Sequence, residues 1–307
     1  MTGYYSEEAH GPHEYFDLGN FELANRITIP NARLAYKTHG TLNKAKSNAI
    51  LFPHMWSGTS KSMEAFVGPG RPLDPKKYFI ILPGQFGNGF SSSASNTPPP
   101  FDQGAFPNIN IEDDVKALIA AAEAKYGPVD VFFSNAGLSR KGQETASDAD
   151  WDVSWRVHVM SHVFAARALV PGMLARGSGY LLNTASAAGL LASLNSMPYG
   201  VTKSAAVALA EHLAIQYGDR GIRVSVLCPQ SVQTGMTTPG PSAARVDGVM
   251  QPPEVARIVL EAMAEERFLI LSHPQVDEYV KRKAGNRDRW LSGMRRLRDK
   301  IYGQPSG

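Results

Sequence analysis

Short apolar runs alternate with longer stretches of helical periodicity from about residue 48 to residue 273. Six runs predict strands, because most are apolar at successive positions as buried parallel strands are; they are NAILFPH, YFIILPG, VDVFFSN, GYLLNTAS, RVSVLCP and RFLILSH. The stretches DDVKALIAAAEAKYG and TKSAAVALAEHLAIQYG have apolar residues at helical spacing. This alternation predicts an α/β fold with a doubly wound, mostly parallel sheet.

The pattern differs in the first part of the chain. FELANRITI and ARLAYKTHG flank Pro30 and Asn31, a turn signal, and predict an antiparallel hairpin. Residues 87–106 are rich in Ser, Asn, Pro and Gly and contain three consecutive prolines, which exclude a helix or an inner strand. The end of this stretch predicts a boundary between an N-terminal segment, residues 1–111, and a second segment, residues 112–307. We expect the two segments to contribute to one continuous sheet.

Composition excludes several classes of protein. A net charge of +3 over 307 residues is too small to indicate a nucleic-acid partner. The single cysteine, Cys228, excludes an internal disulfide framework and a Cys-rich metal site, and its apolar surroundings predict a buried strand residue. We expect no metal. The N-terminus lacks the apolar core of a signal peptide and no stretch approaches a membrane span, so the predicted location is cytoplasmic, with no membrane partner.

Tyr199 and Lys203 are the first candidates for chemistry. They lie four residues apart at the start of a helical pattern, so their side chains share one face of the helix. An ammonium beside a phenol favours the phenolate and lowers its pKa, which makes tyrosine usable as an acid or base for alcohol and ketone chemistry. Tyr279 and Lys283 have the same spacing in a charged stretch without other reactive groups, and we interpret that pair as accidental.

Other candidates follow predicted strands. Ser186 comes after GYLLN, residues 134–137 (SNAG) follow VDVFF, and residues 229–234 (PQSVQT) follow RVSVLC. The carboxyl ends of parallel strands meet at one edge of the sheet, where such folds place their binding sites. Ser186 alone is typical of a helix N-cap. Together with Tyr199 it favours a site in which the hydroxyl binds a substrate oxygen.

From about residue 112 to residue 302 the chain resembles the short-chain dehydrogenase/reductase family. The matching motifs are N-A-G at Asn135, Ala136 and Gly137, the serine at Ser186, Y-x-x-x-K at Tyr199 and Lys203, and P-x-x-x-x-T at Pro229 and Thr234. The resemblance implies a Rossmann-like sheet, NAD or NADP as cofactor, a small alcohol or carbonyl substrate and a homodimer or homotetramer. It also implies that Tyr199 exchanges the proton, Lys203 holds the nicotinamide ribose and Ser186 steadies the substrate oxygen. Thr234 is implied to contact the carboxamide, and Asn135–Gly137 to line the adenosine side. Tyr199 and Pro229 are implied to belong to the cofactor-binding residues as well.

Two departures from the family pattern matter. The position where the family often has an asparagine of a proton relay holds His158, which either carries protons in its place or packs the helix. The glycine-rich turn that cradles a pyrophosphate is not found. Gly84, Gly87 and Gly89 follow a predicted strand, but serines and prolines follow them instead of a helix. We therefore expect weak or lost cofactor binding. The residue that chooses NAD or NADP is not identifiable.

Residues 15–111 resemble the beginning of a homoserine O-acetyltransferase-like α/β-hydrolase, on the stretches LAYKTHGTLN, GPGRPLDPKKYFIILPGQFGNGFSSSASNTPPPF and FPNINIEDDV. The nucleophile motif of that fold, G-x-S-x-G, occurs nowhere in the sequence. The two resemblances together indicate a chimeric chain. In it, NAILFPH would take the central strand position of the dehydrogenase, and loop residues 54–60 would replace the phosphate-binding turn.

Three functional hypotheses follow. The first is an NAD(P)-dependent oxidoreductase that interconverts an alcohol and a carbonyl, with Tyr199 as the acid or base. The second is an α/β-hydrolase-like acyltransferase or hydrolase, supported by residues 15–111 alone. The third is a non-catalytic chimera with a vestigial site, supported by the mismatch of the two segments.

Overall fold

The computed structural model describes residues 6–54, 58–236, 240 and 242–303. The strands are β1 Glu14–Glu22, β2 Thr28–His39, β3 Ala49–Leu51, β4 Phe79–Pro83, β5 Val131–Ser134, β6 Gly179–Thr184, β7 Ile222–Leu227 and β8 Leu269–Ile270. The α-helices are α1 Glu7–His10, α2 Ser60–Met63, α3 Ile111–Tyr126, α4 Asp148–Trp155, α5 Ser161–Arg176, α6 Ala187–Leu190, α7 Met197–Tyr217, α8 Pro252–Ala264, α9 Gln275–Gly285 and α10 Arg287–Tyr302. All six strands expected from the apolar runs are present, which confirms the α/β class. The chain divides into two units, Met1–Val129 and Asp130–Gly307.

The Met1–Val129 unit is built on a four-stranded mixed sheet with the order β1-β2-β4-β3. The pairs β1–β2 and β2–β4 are antiparallel, and β3 pairs with β4 in parallel. Helix α3 begins at Asn110, whose side chain accepts the N–H groups of Glu112 and Asp113. Apolar residues of this helix, of β2 and of the β1–β2 connection form a core that is closed to solvent; its members include Leu23, Ile29, Leu34, Phe86 and Leu118.

The N-terminal hairpin is confirmed, but the expected position of its turn is wrong. The chain reverses at residues 23–27, where Leu23 and Arg26 make the turn hydrogen bonds, and not at Pro30 and Asn31. Pro30 and Asn31 lie inside β2, next to a register shift, and Asn31 has φ 50°. A bulge tolerates a proline and a left-handed residue within a strand, so the same residue types signal a bulge here.

The Asp130–Gly307 unit has a four-stranded parallel sheet with the order β5-β6-β7-β8 and helices on both sides. The register of β6 and β7 is regular from Gly179↔Ile222 to Thr184↔Leu227. Apolar residues of β6, β7, β8 and α8 pack together in its core; they include Leu182, Leu227, Val255, Val259 and Ile270. This arrangement confirms the doubly wound, mostly parallel expectation and brings the carboxyl ends of β5, β6 and β7 to one edge.

The described strands form two hydrogen-bonded sheets, and not the one continuous sheet expected from the sequence. The division of the chain also falls at Val129, after α3, whereas the sequence predicted a boundary between residues 111 and 112. Strand β3, expected in a central position, is at the end of its sheet and pairs with β4. Apolar periodicity identifies a buried strand but carries no information about which strand lies beside it.

Residues 148–176 form one continuous helix in which α4 and α5 are joined by a π-helical turn, Arg156–Met160. Its 29 residues have the length and apolar composition of a membrane span, which the sequence analysis had not expected. Close to half of its most apolar 18-residue window, 44%, is buried within the protein. Buried polar side chains on this helix, including His158 and His162, favour the interpretation of a core helix.

Candidate functional site

Helix α7 places Tyr199 and Lys203 on one face. Its first turn is fixed by Ser196, whose hydroxyl oxygen accepts the Tyr199 N–H at 3.2 Å, and Pro198 occupies the first turn where a missing N–H is tolerated. Tyr199 is therefore in the first turn of the helix and is half-buried, while Lys203 is one turn further and only 2% exposed. The predicted shared face of the two side chains is present.

Ser186 lies at the carboxyl end of β6 and begins the one-turn helix α6. Its hydroxyl oxygen accepts the Ala188 N–H at 3.1 Å, so it is the N-cap of this helix. The same hydroxyl hydrogen-bonds the Tyr199 phenol, and its contact with Pro229 O is long, at 3.4 Å. The two interpretations of this serine are thus compatible. The cap holds the side chain in place, and the hydroxyl lies beside the tyrosine.

The pKa of Tyr199 differs from the expectation. Burial raises the pKa of the phenol, and the hydrogen bond from Ser186 opposes that effect. The predicted lowering by Lys203 is wrong for this arrangement, because the Lys203 ammonium donates to Thr184 O at 2.9 Å and lies 5.8 Å from the centre of the tyrosine ring. The phenol is consequently protonated at neutral pH.

Lys203 is a buried cation, and its ammonium has more hydrogen-bond donors than the Thr184 carbonyl uses. Burial lowers the pKa of its ammonium to about 8. The group has three N–H donors, and in the described part of the chain the Thr184 carbonyl accepts one of them. Gly137 lies beside it, and a Cβ at that glycine would come within 3.7 Å of Nζ. The space next to the ammonium is therefore bordered by backbone without a side chain.

His158 is fully buried on the π-helical turn, with its ring edge-on to Tyr199 at a centroid distance of 5.3 Å. The Thr202 hydroxyl donates to Pro198 O at 2.7 Å, so it accepts a proton from His158 Nδ1 at 2.8 Å. Nε2 lies within hydrogen-bond distance of both Leu138 N, at 3.2 Å, and Leu138 O, at 3.0 Å. Burial, followed by the charge of Lys203, lowers the pKa of His158 to about 3. This histidine is a neutral, satisfied group that packs behind Tyr199, with no hydrogen bond to Lys203 in the described structure.

Sequence reasoning missed three residues beside this group. His162 lies one turn after His158, and its Nδ1 is 2.6 Å from the Ser134 hydroxyl. Its Nε2 and the Nδ2 of Asn183 are buried without a hydrogen-bond partner among the described residues. Gly189 packs against α7 so closely that a Cβ would lie 2.5 Å from Lys203 O. The spacing of His158 and His162 on an apolar helix was the available signal, whereas nothing in the sequence distinguishes Gly189.

The remaining predicted residues lie at the same strand ends. The Thr184 hydroxyl donates to Asn135 Oδ1 at 2.9 Å, and Asn135, Ala136 and Gly137 are exposed after β5. Pro229 O accepts the Ala187 N–H at 2.9 Å, which ties the end of β7 to α6. Thr234 is exposed and its hydroxyl accepts the Met236 N–H at 3.3 Å. The chain beyond Met236 lies in part outside the described residues.

The described residues fit the ribose of a nicotinamide cofactor, but they do not provide the turn that would hold its pyrophosphate. The free ammonium donors of Lys203 and the open backbone at Gly137 suit the hydroxyls of a ribose. No described glycine turn runs into a helix to hold a pyrophosphate: Gly87 and Gly89 have positive φ, and the next α-helix begins only at Ile111. In loop 54–60, residues 55–57 lie outside the description, and His54 Nε2 contacts Asn88 at 2.9 Å. Within the described ranges, no group of three or more His, Cys, Asp or Glu could hold a metal ion.

Comparison with known proteins gives one family. The model of the short chain dehydrogenases matches residues 104–244. The chain is 31% identical over 188 residues to the oxidoreductase UcpA of Escherichia coli K12, covering 60% of this chain and 69% of that protein. A crystal structure of a short chain dehydrogenase/reductase from Burkholderia phymatum in complex with NAD has a TM-score of 0.51 and 29% identity, and the match covers 58% of this chain and 73% of that one.

The chain is also similar to a hydrolase. The chain is 51% identical over 118 residues to an ethyl acetate hydrolase from Pseudomonas veronii, which covers 38% of this chain and 34% of that enzyme. For four of the curated relatives, this chain spans between 34% and 52% of their length.

Proposed function

The chain belongs to the short-chain dehydrogenase family, and from that premise we propose that the Asp130–Gly307 unit carries an NAD(P)-dependent site for interconverting an alcohol and a carbonyl. One observation carries the proposal. The Tyr199 phenol receives a hydrogen bond from Ser186, and it shares a helix face with the buried ammonium of Lys203. An acid, an oxygen-binding hydroxyl and a fixed cation at one sheet edge suit carbonyl chemistry.

Tyr199 moves the proton in this proposal. Its phenol donates a proton to the substrate oxygen in reduction and takes one from the substrate hydroxyl in oxidation. Burial raises the pKa of the phenol, so the acid form, which is the form needed for reduction, predominates at neutral pH. The Ser186 hydroxyl, already held as a helix cap, binds the same oxygen. His158 keeps the back of the tyrosine ring packed and dry.

The cofactor supplies the hydride when it is bound. Lys203 would hold its ribose through the two ammonium donors that Thr184 O does not use, and Asn135–Gly137 and Thr234 would border it. The missing pyrophosphate turn weakens this binding. Charge-assisted hydrogen bonds contribute roughly 1.5–3 kcal/mol each, and about 1.4 kcal/mol is a tenfold change in Kd. Losing two such hydrogen bonds, at about 2 kcal/mol each, would raise the Kd of the cofactor from micromolar to roughly millimolar.

The experiment is a titration of the full chain with NADH and NADPH, followed by reduction of a panel of ketones and aldehydes at saturating cofactor. Tyr199→Phe should lower turnover by about 10²–10⁴-fold and leave cofactor binding unchanged, because the phenol acts on the substrate oxygen. The matched control is Tyr217→Phe at the far end of the same helix, which should leave turnover unchanged. Equal turnover in Tyr199→Phe and the wild-type chain would refute the proposal.

We also propose that part of the chain has an α/β-hydrolase origin and that the chain is chimeric. Support comes from the 51% identity over 118 residues to the ethyl acetate hydrolase. Hydrolase activity itself finds no support in the buried serines after β4. The Ser91 and Ser92 hydroxyls accept the N–H groups of Ala35 and Arg33 at 3.0 and 2.9 Å, so they stabilise the backbone of β2.

Three further predictions are also proposals. They are a small alcohol or carbonyl as substrate, a homodimer or homotetramer, and a cytoplasmic location. Light scattering on the purified full chain measures the oligomeric state directly. A monomer at micromolar concentration would remove the dimer and tetramer from this set.

A further inference from the structure

Helix α9 carries a second pair with the spacing of the catalytic candidates, Tyr279 and Lys283. The sequence analysis interpreted this pair as accidental. In the structure both side chains are half-buried, lie on one face of the helix and make hydrogen bonds to distant parts of the chain. Neighbouring Lys281, by contrast, is exposed and ion-paired with Asp277 and Glu278 of its own helix.

Lys283 holds the end of the helix that begins at Ser186. Its ammonium donates to Leu190 O and, at 2.9 Å, to Leu191 O. These carbonyls close α6 at its C-terminal end, where carbonyl groups have no partner within the helix. A cation at that end satisfies them and suits their negative partial charge. The one-turn helix is thus fixed by Ser186 at one end and by Lys283 at the other.

The position of α6 matters because it rests directly on the backbone of α7. The Ser204 hydroxyl donates to Gly189 O at 2.8 Å, and Gly189 lies against the Lys203 carbonyl with no room for a Cβ. A small shift of α6 would therefore move Ser186 relative to Tyr199. Lys283 restrains the free end of this short helix from outside that contact.

Tyr279 contacts a loop that pairs with a second segment of the site, residues 229–234. Its hydroxyl donates to Asp247 Oδ1 at 2.9 Å. The loop that contains Asp247 continues to Met250, which exchanges backbone hydrogen bonds with Ser231 and Gln233 at 3.1 and 2.9 Å. Residues 231–233 lie within residues 229–234, so the tyrosine anchors the loop that pairs with this segment.

We propose that Tyr279 and Lys283 are positioning residues: one face of α9 fixes the two segments that bring Ser186 and residues 229–234 to the site. The consequence for turnover rests on the proposed oxidoreductase function, whereas the positioning itself is a property of the fold. The two claims are therefore measured separately.

The first measurement is hydrogen exchange of the full chain, read on the peptide that covers residues 187–191. Amides of this segment are bonded to Pro229 O, to Ser186 or to Ala187 O, so they report its opening. Lys283→Met should speed their exchange roughly ten- to a hundredfold, since two hydrogen bonds to a charged group are lost. Lys283→Arg, which can still donate to both carbonyls, should restore slow exchange. The matched control Lys281→Met should exchange like the wild-type chain.

Unchanged exchange at 187–191 in Lys283→Met would overturn the proposal. So would an equal acceleration throughout α5, because that result indicates a general loss of stability and no specific positioning. If Lys283→Met does not fold, Lys283→Gln gives the same comparison with a shorter, uncharged donor. Tyr279→Phe should speed exchange roughly tenfold in the peptide covering 229–236 and leave 187–191 slow, with Tyr217→Phe as its control.

The second measurement is kinetic. Lys283→Met should raise the KM for the carbonyl substrate several-fold while the Kd for NADH changes less than twofold, because α6 borders the substrate oxygen and Lys203 stays in place. A parallel loss of both would contradict the assignment. If the wild-type chain shows no turnover with any nicotinamide cofactor, the oxidoreductase proposal fails, and the exchange experiment still decides the positioning proposal.

Discussion

The two units both bury polar side chains, but they use them differently. In Met1–Val129 several buried carboxylates and hydroxyls accept backbone N–H groups: Asp113 from Ala24 and Asn110, Asp114 from Phe86, Ser91 from Ala35. Side-chain pairs such as His10 with Thr59 occur there as well. In Asp130–Gly307 the buried polar side chains contact one another: His158 with Thr202, His162 with Ser134, Ser186 with Tyr199. A polar group that is occupied by the backbone stabilises a loop, whereas groups that face each other can act on a ligand. The proposed site lies in the second unit, where such side-chain contacts occur.

The same contrast appears in the direction of the pKa shifts. Burial raises the pKa of Asp114 to about 7 in the first unit, so its carboxyl favours the protonated form. In the second unit burial lowers the pKa of His158 and His162 to about 3 and of Lys203 to about 8. Asp114 is thus expected to make the first unit lose stability as pH rises toward 7, and His158, His162 and Lys203 to make the second unit lose stability as pH falls.

Among the variants that should change both turnover and stability, Lys203→Met has the largest expected effect. Turnover should fall by about 10²–10³-fold, because a fixed charge next to the reacting groups is lost. Stability should rise instead. A folded pKa of about 8 against 10.5 in the unfolded chain means that keeping this buried lysine charged below pH 8 costs about 3 kcal/mol, of which the lost bond to Thr184 O offsets about 1 kcal/mol.

Urea unfolding at pH 7 and at pH 10 checks this stability effect. Between pH 8 and 10.5 the unfolded chain holds a proton that the folded chain has released, so wild-type stability rises with pH and the advantage of Lys203→Met shrinks. Exposed Lys281→Met is the control and should change stability by less than about 0.5 kcal/mol. A destabilised Lys203→Met at pH 7 would show that the ammonium contributes more to the fold than its burial costs.

Asp114→Asn tests the opposite trend in the first unit. Between pH 3.8 and about 7 the folded chain holds a proton that the unfolded chain releases, so the wild-type protein loses stability as pH rises through this window. The asparagine oxygen still accepts the Phe86 N–H and carries no charge. We expect it to stabilise α3 by about 4 kcal/mol at pH 8 and by little at pH 4, read from hydrogen exchange of residues 111–126.

Asp113→Asn is the matched control. Both oxygens of Asp113 accept N–H groups, from Ala24 at 2.7 Å and from Asn110 at 2.9 Å. An amide turns one of these acceptors into a donor that faces another donor, so this variant should lose about 1–3 kcal/mol at either pH. Two neighbouring aspartates that respond with the same sign would refute the distinction between them.

Acid should weaken the second unit through its buried histidines. The unfolded histidine binds a proton near pH 6.5, while His158 and His162 in the fold bind one only near pH 3, so stability falls as pH drops through this window. At pH 5 each histidine should cost about 2 kcal/mol relative to pH 7.5. His162→Gln should halve this dependence in urea unfolding, and His212→Gln, on the exposed side of α7, should leave it unchanged.

The sequence predicted the strands and the reactive group for one physical reason. Both depend on local pattern: β6 has three successive apolar residues and β7 has apolar residues at alternate positions, and Tyr199 and Lys203 share a helix face because four residues make about one turn. Ser186 was identified because it follows a strand whose end had to lie near another strand end. Such features require no knowledge of distant contacts.

The features that the sequence did not predict depend on which parts of the chain meet. The bulge at Pro30 and Asn31 needs a partner strand, and the bonds of Lys283 join residues that lie about ninety positions apart. The pKa of Tyr199 was expected to fall because Lys203 is close in sequence, yet the ammonium bonds to Thr184 O and burial prevails. Side-chain direction and desolvation are set by tertiary packing, which periodicity does not encode.

The smallest expected effect concerns an apolar surface. Phe133 on β5, at the end of its sheet, is 46% exposed, whereas Phe86 of the first unit is 6% exposed and packs against Phe21 at 5.4 Å. Phe133→Thr keeps a residue that favours strands and should change the free energy of unfolding by less than about 0.5 kcal/mol. Phe86→Thr should cost about 3–5 kcal/mol. Urea titrations of the two variants measure both, and a loss of similar size in Phe133→Thr would mean that this face of β5 is packed in solution.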